Sequence, residues 1–286
     1  LLLPAVIAVF VFFYLPMCGV LIAFKDYDVI KGFMASEWVG LDNFIQIVTY
    51  PKFLHAILNT LIYSGAIIFG TFPFPVILAL LFNELRNIHF KKVVQTISYM
   101  PYFLSWISVI GLFYSMFALE GPINDFICAI NPEHERVNIL LDSKNFIGIL
   151  FASHLWKNVG WSSVLFLAAI AGIDPTLYEA ATIDGCGKFR QAISITIPCI
   201  MNTIIIVLVM SLGGLVSSNF EQVYGFQNVY IQDQTETINT LVYRQGIENG
   251  QYSLATAFGL MQGVVSVVIV FASNQFTKKM FHVSIW

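Results

Sequence analysis

The chain has 286 residues, 57% of them hydrophobic and only 11% charged, with a formal net charge of −3 and a mean hydropathy of +0.76. A soluble domain of this length carries about a quarter charged residues. The composition therefore excludes an ordinary soluble enzyme, and with a net negative charge no nucleic-acid partner is expected.

The apolar residues gather in six blocks, approximately 1–24, 55–82, 97–119, 146–173, 199–219 and 253–276. Each is long enough to cross a hydrocarbon layer of about 30 Å at about 1.5 Å per residue. The expectation is an all-α membrane protein of six transmembrane helices. The first block starts at Leu1 without a basic leader or a small-residue cleavage site before Lys25, so it is read as a span lacking its N-terminal part rather than a signal peptide. In the second block, Gly65 and Gly70 have P-loop spacing, but Thr71-Phe72 follows where Lys-Ser/Thr is needed to cradle phosphate. Pro73 and Pro75 predict a kink there.

The fourth block is unusually polar: His154, Trp156, Lys157, Asn158, Trp161, Ser162 and Ser163 crowd together. Polar groups in a bilayer face the bundle interior or a water-filled cavity. With Asn219, Glu221 and Gln222 after the fifth block, and Tyr243, Arg244 and Gln262 around the sixth, they form a candidate substrate path of aromatic faces and hydrogen-bonding groups. Lys157 could equally pair with an acid such as Glu221. Gly259, Gly263 and Ser266, and the series Ser211, Gly214 and Ser217, read as close helix-packing surfaces. The five histidines, including His134 and His282, and the four cysteines show no metal or disulfide spacing.

Residues 83–96, 174–198 and 277–286 hold Arg86, Lys91, Lys92, Lys188, Arg190, Lys278 and Lys279 against Glu84, Asp174, Glu179 and Asp184. The remaining, longer loops hold six cations and thirteen acids. The basic segments are therefore placed in the cytoplasm, with both termini inside.

The cytoplasmic segment 174–198 has its own grammar. Asp174-Pro175 starts a helix, Asp184-Gly185 ends it, and a second helix from Lys188 puts Phe189, Ile193 and Ile197 on one stripe. Pro198 is expected to break the chain as the next membrane helix begins. Glu179-Ala180-Ala181, Gly185, Ile195, Ile197 and Pro198 fit E-A-A-x3-G-x9-I-x-L-P with Ile197 for Leu.

That spacing resembles the signature of ABC-importer permeases. Residues 156–185, 219–224, 240–247 and 252–268 are similar to carbohydrate-uptake members, especially permeases for oligosaccharides and polysaccharide fragments such as the alginate importer's. The resemblance covers nearly the whole chain. It implies a single permease domain over residues 1–286 with the type I importer (maltose-permease-like) fold, in a bacterial plasma membrane. Residues Glu179, Ala180, Ala181, Asp184, Gly185, Phe189, Ile195 and Pro198 would dock the ATPase. The implied partners are a second homologous permease, two ATPase subunits holding ATP and Mg, an extracytoplasmic solute-binding protein, an oligosaccharide and membrane lipid. The chain itself binds no cofactor and is not an enzyme on this reading. A permease for peptides, amino acids or polyamines is the alternative. A stand-alone carrier is a further one, though it would need coupling carboxylates within the spans.

Overall fold

Long apolar runs without a single polar face must be covered by one another or by lipid, and the chain answers with a helical bundle. The computed structural model describes residues 2–131, 135–217 and 219–281; His134, Ser218 and His282 lie outside them. Helix α1, Leu3–Phe24, passes through α, π and 3-10 turns, and Ala23 is its one buried residue. Its last ten residues pack on the final helix. A two-residue antiparallel pair follows, β1 (Lys25–Asp26) with β2 (Glu37–Trp38), Lys25 opposite Trp38. Helix α2, Asp42–Thr49, is tied back by Asn43, whose buried amide donates to the carbonyls of Ala23 (2.9 Å) and Lys25 (3.0 Å).

Helix α3, Phe53–Glu84, is interrupted at Phe72, just ahead of Pro73, where the kink was expected. Then come α4 (Ile88–Tyr99), α5 (Trp106–Phe117) and α6 (Pro122–Ile130). The continuous helix expected over 97–119 is not formed. Pro101 enters a 3-10 turn, Leu104 and Ser105 are extended, and the Ser105 hydroxyl caps α5 by accepting from the Ser108 amide at 3.2 Å. The chain there has a cap built for a fresh start.

Helix α7, Ser143–Ala171, is the centre of the bundle, packing on α3, α4 and α5 and on the later helix that ends at Leu212. It is followed across a 74° bend by α8, Pro175–Ile183. Helix α9 spans Lys188–Leu212, short α10 and α11 cover Phe220–Phe226 and Ile238–Tyr243, and α12 runs over Tyr252–Phe281. Among the described residues, five helical stretches are long and apolar enough to cross a membrane, one of them made of α5 and α6 in succession; α7 reaches that standard only together with α8, because its polar cluster dilutes it.

Three apolar clusters hold the bundle. One joins α5, α7 and α10 through Trp106, Phe113, Phe146, Leu150 and Phe226. A second joins the end of α1 to α2, α11 and α12 through Ala23, Ile47, Leu241 and Phe258. The third links α3, α7 and α9 through Val76, Ala79, Phe166, Ile170 and Ile200. Between lipid-bathed helices, close packing replaces the hydrophobic drive of water, and Gly160 shows it. A Cβ there would collide with the backbone carbonyl of Ser98, so α4 lies directly against α7. The Gly259–Gly263 stripe, expected to be a packing surface, instead stands open, with no atom near either added Cβ.

These two glycine environments predict opposite outcomes. Gly160→Val should cost about 1–3 kcal/mol by forcing two backbones apart, read as a lowered melting temperature in detergent. Gly259→Ala should leave that temperature unchanged or slightly raised.

Candidate functional site

The 174–198 segment folds into a tight helical pair. The Asp174 carboxylate accepts from the Thr176 amide at 2.9 Å, and Pro175 takes the first helical position, which has no use for an N–H. The Thr176 amide and then its hydroxyl hold Asp174 below the usual carboxylate range. The cap's contribution is thus complete at neutral pH and is lost as pH falls through that lowered value. At the other end Gly185 has φ +76°. The Cys186 amide reaches the Ala181 carbonyl at 2.8 Å, and the Gly185 amide reaches that of Thr182 at 3.1 Å. This double bond pattern closes a helix around a left-handed residue, which glycine adopts without Cβ strain.

Buried polar groups lock α8 onto α9. Gln191, almost fully buried, donates through Nε2 to the Thr182 hydroxyl and the Cys186 carbonyl, both at 2.9 Å. Tyr178 and Thr196 hydroxyls meet at 2.9 Å, and Lys188 lies 3.6 Å from Glu84 at the end of α3. The outward side is left bare. Glu179, Ala180, Asp184 and Gly185 are exposed, as are Ile183 (86%) and Phe189 (81%); Ala181 and Ile195 are half-buried. Large apolar side chains this exposed, on a loop so firmly clamped, form an apolar surface patch. Ile183 and the Gln191 clamp were not singled out from the sequence.

Pro198 does not break the chain. It lies inside α9, two residues beyond a π turn at Ala192–Thr196, closed by the Ile197 amide on the Ala192 carbonyl. The wider turn takes the backbone out of α register just where a proline has no N–H to give and its ring would meet the carbonyl one turn back.

The polar residues of the membrane portion fall into two groups. Many are engaged within the chain. The Lys157 ammonium, only 7% exposed, donates to the carbonyls of Tyr102 (2.7 Å) and Leu104, which the break before α5 sets free, rather than pairing with Glu221. It lies 5.4 Å and 5.5 Å from the ring centres of Tyr102 and Trp106, and Trp161 stacks on Tyr102 at 4.8 Å. A cation is well placed at such a helix C-terminus. Gln222, fully buried, donates to the Leu150 carbonyl (2.7 Å) and the Ser153 hydroxyl (2.9 Å). Arg244 pairs with buried Glu236 at 2.6 Å and with the Gln227 amide oxygen at 2.8 Å. Gln262 donates to the Val216 carbonyl at 2.9 Å, and Asn158 to that of His154 at 3.0 Å. Trp156 packs beside Phe113, while Glu221 is exposed.

The second group faces open space. A cavity of about 410 Å³ is lined by Ser64, His154, Ser211, Ser217, Asn219 and Asn239, among others. A second, of about 470 Å³, is lined by Tyr243, Gly246, Tyr252 and Thr256, and shares Phe220 and Asn239 with the first. Together they form one groove. Ser211, Gly214 and Ser217, expected to pack helices, line it instead. Of the path residues read from the sequence, Asn219 and Tyr243 lie on this wall, and Asn158 lines a small cleft beside it that shares His154. Ser64 and Asn239 were missed, because a single polar residue in an apolar helix carries no signal of which way it points.

Membrane-length helices around a polar groove, with a rigid, outwardly apolar loop at one end, are the architecture of a transport subunit. The chain belongs to the family described as binding-protein-dependent transport system inner membrane components, whose model matches residues 52–281. Over 280 residues it is 40% identical to protein LplB of Bacillus subtilis, covering 98% of this chain and 87% of LplB. It is 39% identical, over the same shares, to YteP, the permease of that organism's polygalacturonan/rhamnogalacturonan transport system. Among solved structures it is similar to a chain of a bacterial ABC transporter involved in import of the acidic polysaccharide alginate, with 36% identity and a TM-score of 0.88, covering 98% of this chain and 94% of that one. A chain of a bacterial alginate ABC transporter in complex with an alginate pentasaccharide-bound periplasmic protein gives 34% identity and a TM-score of 0.89, over 99% of this chain and 94% of that one. This chain is therefore a multi-pass membrane subunit of an ABC importer and not an enzyme; ATP is hydrolysed by a separate ATPase subunit.

Removing the Lys157 head group should strand two carbonyls. Lys157→Met is expected to cost about 1–3 kcal/mol, seen as a lowered melting temperature of the purified subunit, with Lys157→Arg closer to wild type.

Proposed function

We propose that residues 1–286 act as one permease domain that carries oligosaccharides into the cytoplasm by alternating access. A second, homologous permease supplies the other wall of the path, since one groove open along its side encloses nothing. Of two ATPase subunits holding ATP and Mg, one docks on residues 174–198, and an extracytoplasmic binding protein delivers the sugar at the opposite end. Both termini then lie in the cytoplasm, as the excess of Lys and Arg in the short loops favours.

The observation that carries this reading is the α8–α9 pair, clamped inward by Gln191 and Tyr178 while Glu179, Ile183 and Phe189 are presented outward. A rigid loop can transmit a push; a pliable one would absorb it. Closure of the ATPase dimer moves α8, and α7, joined to it across the 74° bend, carries the motion to the groove. The step drives transport only if the docked interface differs in free energy between the inward- and outward-facing states. The groove's aromatic rings and hydroxyl-binding groups suit saccharides, and the substrates named for YteP and the alginate importer support the same class.

Gly185→Asp places a side chain at φ +76°, and Glu179→Lys reverses the exposed charge. Both should abolish sugar-stimulated ATPase activity and uptake in proteoliposomes while the protein still inserts. Full stimulation in either variant would refute the docking assignment.

A further inference from the structure

Helix α4, Ile88–Tyr99, has no buried residue although it packs on α7. Helical spacing divides it into three strips. Lys91, Val94, Gln95 and Ser98 are half-buried on the bundle side. Phe90, Val93 and Ile97, at i, i+3 and i+7, are 56%, 56% and 63% exposed, and exposed Met100 and Phe103 continue this apolar strip beyond the helix. His89, Lys92 and Thr96, at the same spacing, form an exposed polar strip beside it. Two contacts fix the depth of α4. Ser98 lies against Gly160 of α7, eleven residues or about 16 Å from the end of that helix at Ala171. Ile88 is ten residues, about 15 Å, back along α4, so its first turn comes level with the end of α7, where hydrocarbon gives way to head groups. Glu84, just ahead of α4, lies 3.6 Å from Lys188 at that same end. Arg86 and Lys92 are exposed and Lys91 is half-buried, and among the described residues none of the three forms an ion pair. Glu84, the one acid between residues 83 and 99, is engaged by Lys188.

We infer that the start of α4 is a binding site for an anionic phospholipid, with Arg86 and Lys92 on the head-group phosphate and Phe90, Val93 and Ile97 along the acyl chains. Apolar exposure alone is satisfied by any lipid. The unpaired cations beside it select an anionic head group, each Lys or Arg near an anionic leaflet contributing about a fivefold preference. A water-soluble partner could meet the cations, but it would leave Ile97, Met100 and Phe103 uncovered, because they lie deeper along the span. On the topology proposed above this is the cytoplasmic leaflet; the lipid preference itself does not depend on that assignment.

The test is native mass spectrometry of the full chain and of the complete importer, each loaded in detergent with equimolar phosphatidylglycerol and phosphatidylcholine of identical acyl chains. The wild type should retain the anionic lipid by about tenfold or more, and the preference should weaken as salt rises during loading. Arg86→Gln with Lys92→Gln should remove most of it. Lys31→Gln with Lys144→Gln, the same loss of charge at exposed sites elsewhere, should leave it intact. Equal retention of the two lipids by the wild type overturns the inference, as does an undiminished preference in the Arg86 and Lys92 variant or an equal loss in both variants. Millimolar inorganic phosphate should not displace the lipid; displacement would reduce the site to a phosphate site. A preference present in the free chain and lost in the complete importer would assign α4 to a protein partner, and the lipid inference would fall.

Discussion

In a hydrocarbon layer no backbone N–H or C=O can be left to water, so every departure from regular helix must be sealed from within. Several interruptions in this bundle carry such a seal. Lys157 closes the break before α5, Asn43 the exit from α1, and Gln262 the carbonyl of Val216 past the end of α9. Asn59 on α3 donates to the carbonyls of Gln234 (2.8 Å) and Glu236 (2.9 Å), and Thr60 accepts from the Ile238 amide, holding the turn that leads into α11. The long polar side chains of the membrane portion are thus largely committed to the chain's own backbone. The groove is left to short hydroxyls, amides and aromatic rings.

That division explains what could be read from residues alone. Apolar block lengths and the Lys/Arg bias were enough for the class of fold, and Asp174, Pro175 and Gly185 carry enough local chemistry to place both ends of α8. The break at 100–105 was not visible as such, because Pro101 in an apolar run fits either a kink or a stop. Its partner residue was equally ambiguous: a lysine within a span is expected whether it meets a substrate or seals a backbone. Which role it has depends on which carbonyls lie within reach, and that is set fifty residues away in the chain. Ser64 and Asn239 became visible only once three helices were brought together around one space.

Helix α7 ties these parts into one mechanical unit. It packs on α3, on α4 through the Gly160–Ser98 contact, and on α9, and it ends at the bend into α8. From Ala171 to His154 is about 26 Å of straight helix, which separates the exposed 174–198 loop from the groove by most of a bilayer. The close backbone contact at Gly160 leaves no slack between α4 and α7, so displacement at one end of the helix is shared with its neighbour rather than lost in side-chain rearrangement.

The π turn in α9 has a consequence for how this chain can vary. One extra residue in a helical turn rotates everything beyond it by about 100°, so the sequence phase of the loop half is uncoupled from that of the membrane half. Phe189 and Ile193 look outward while Ile197, four residues on, is half-buried, although an unbroken helix would align all three. The two halves of one continuous helix therefore obey separate pattern rules. The outward residues of the loop half can drift while the bundle-facing residues keep their own register.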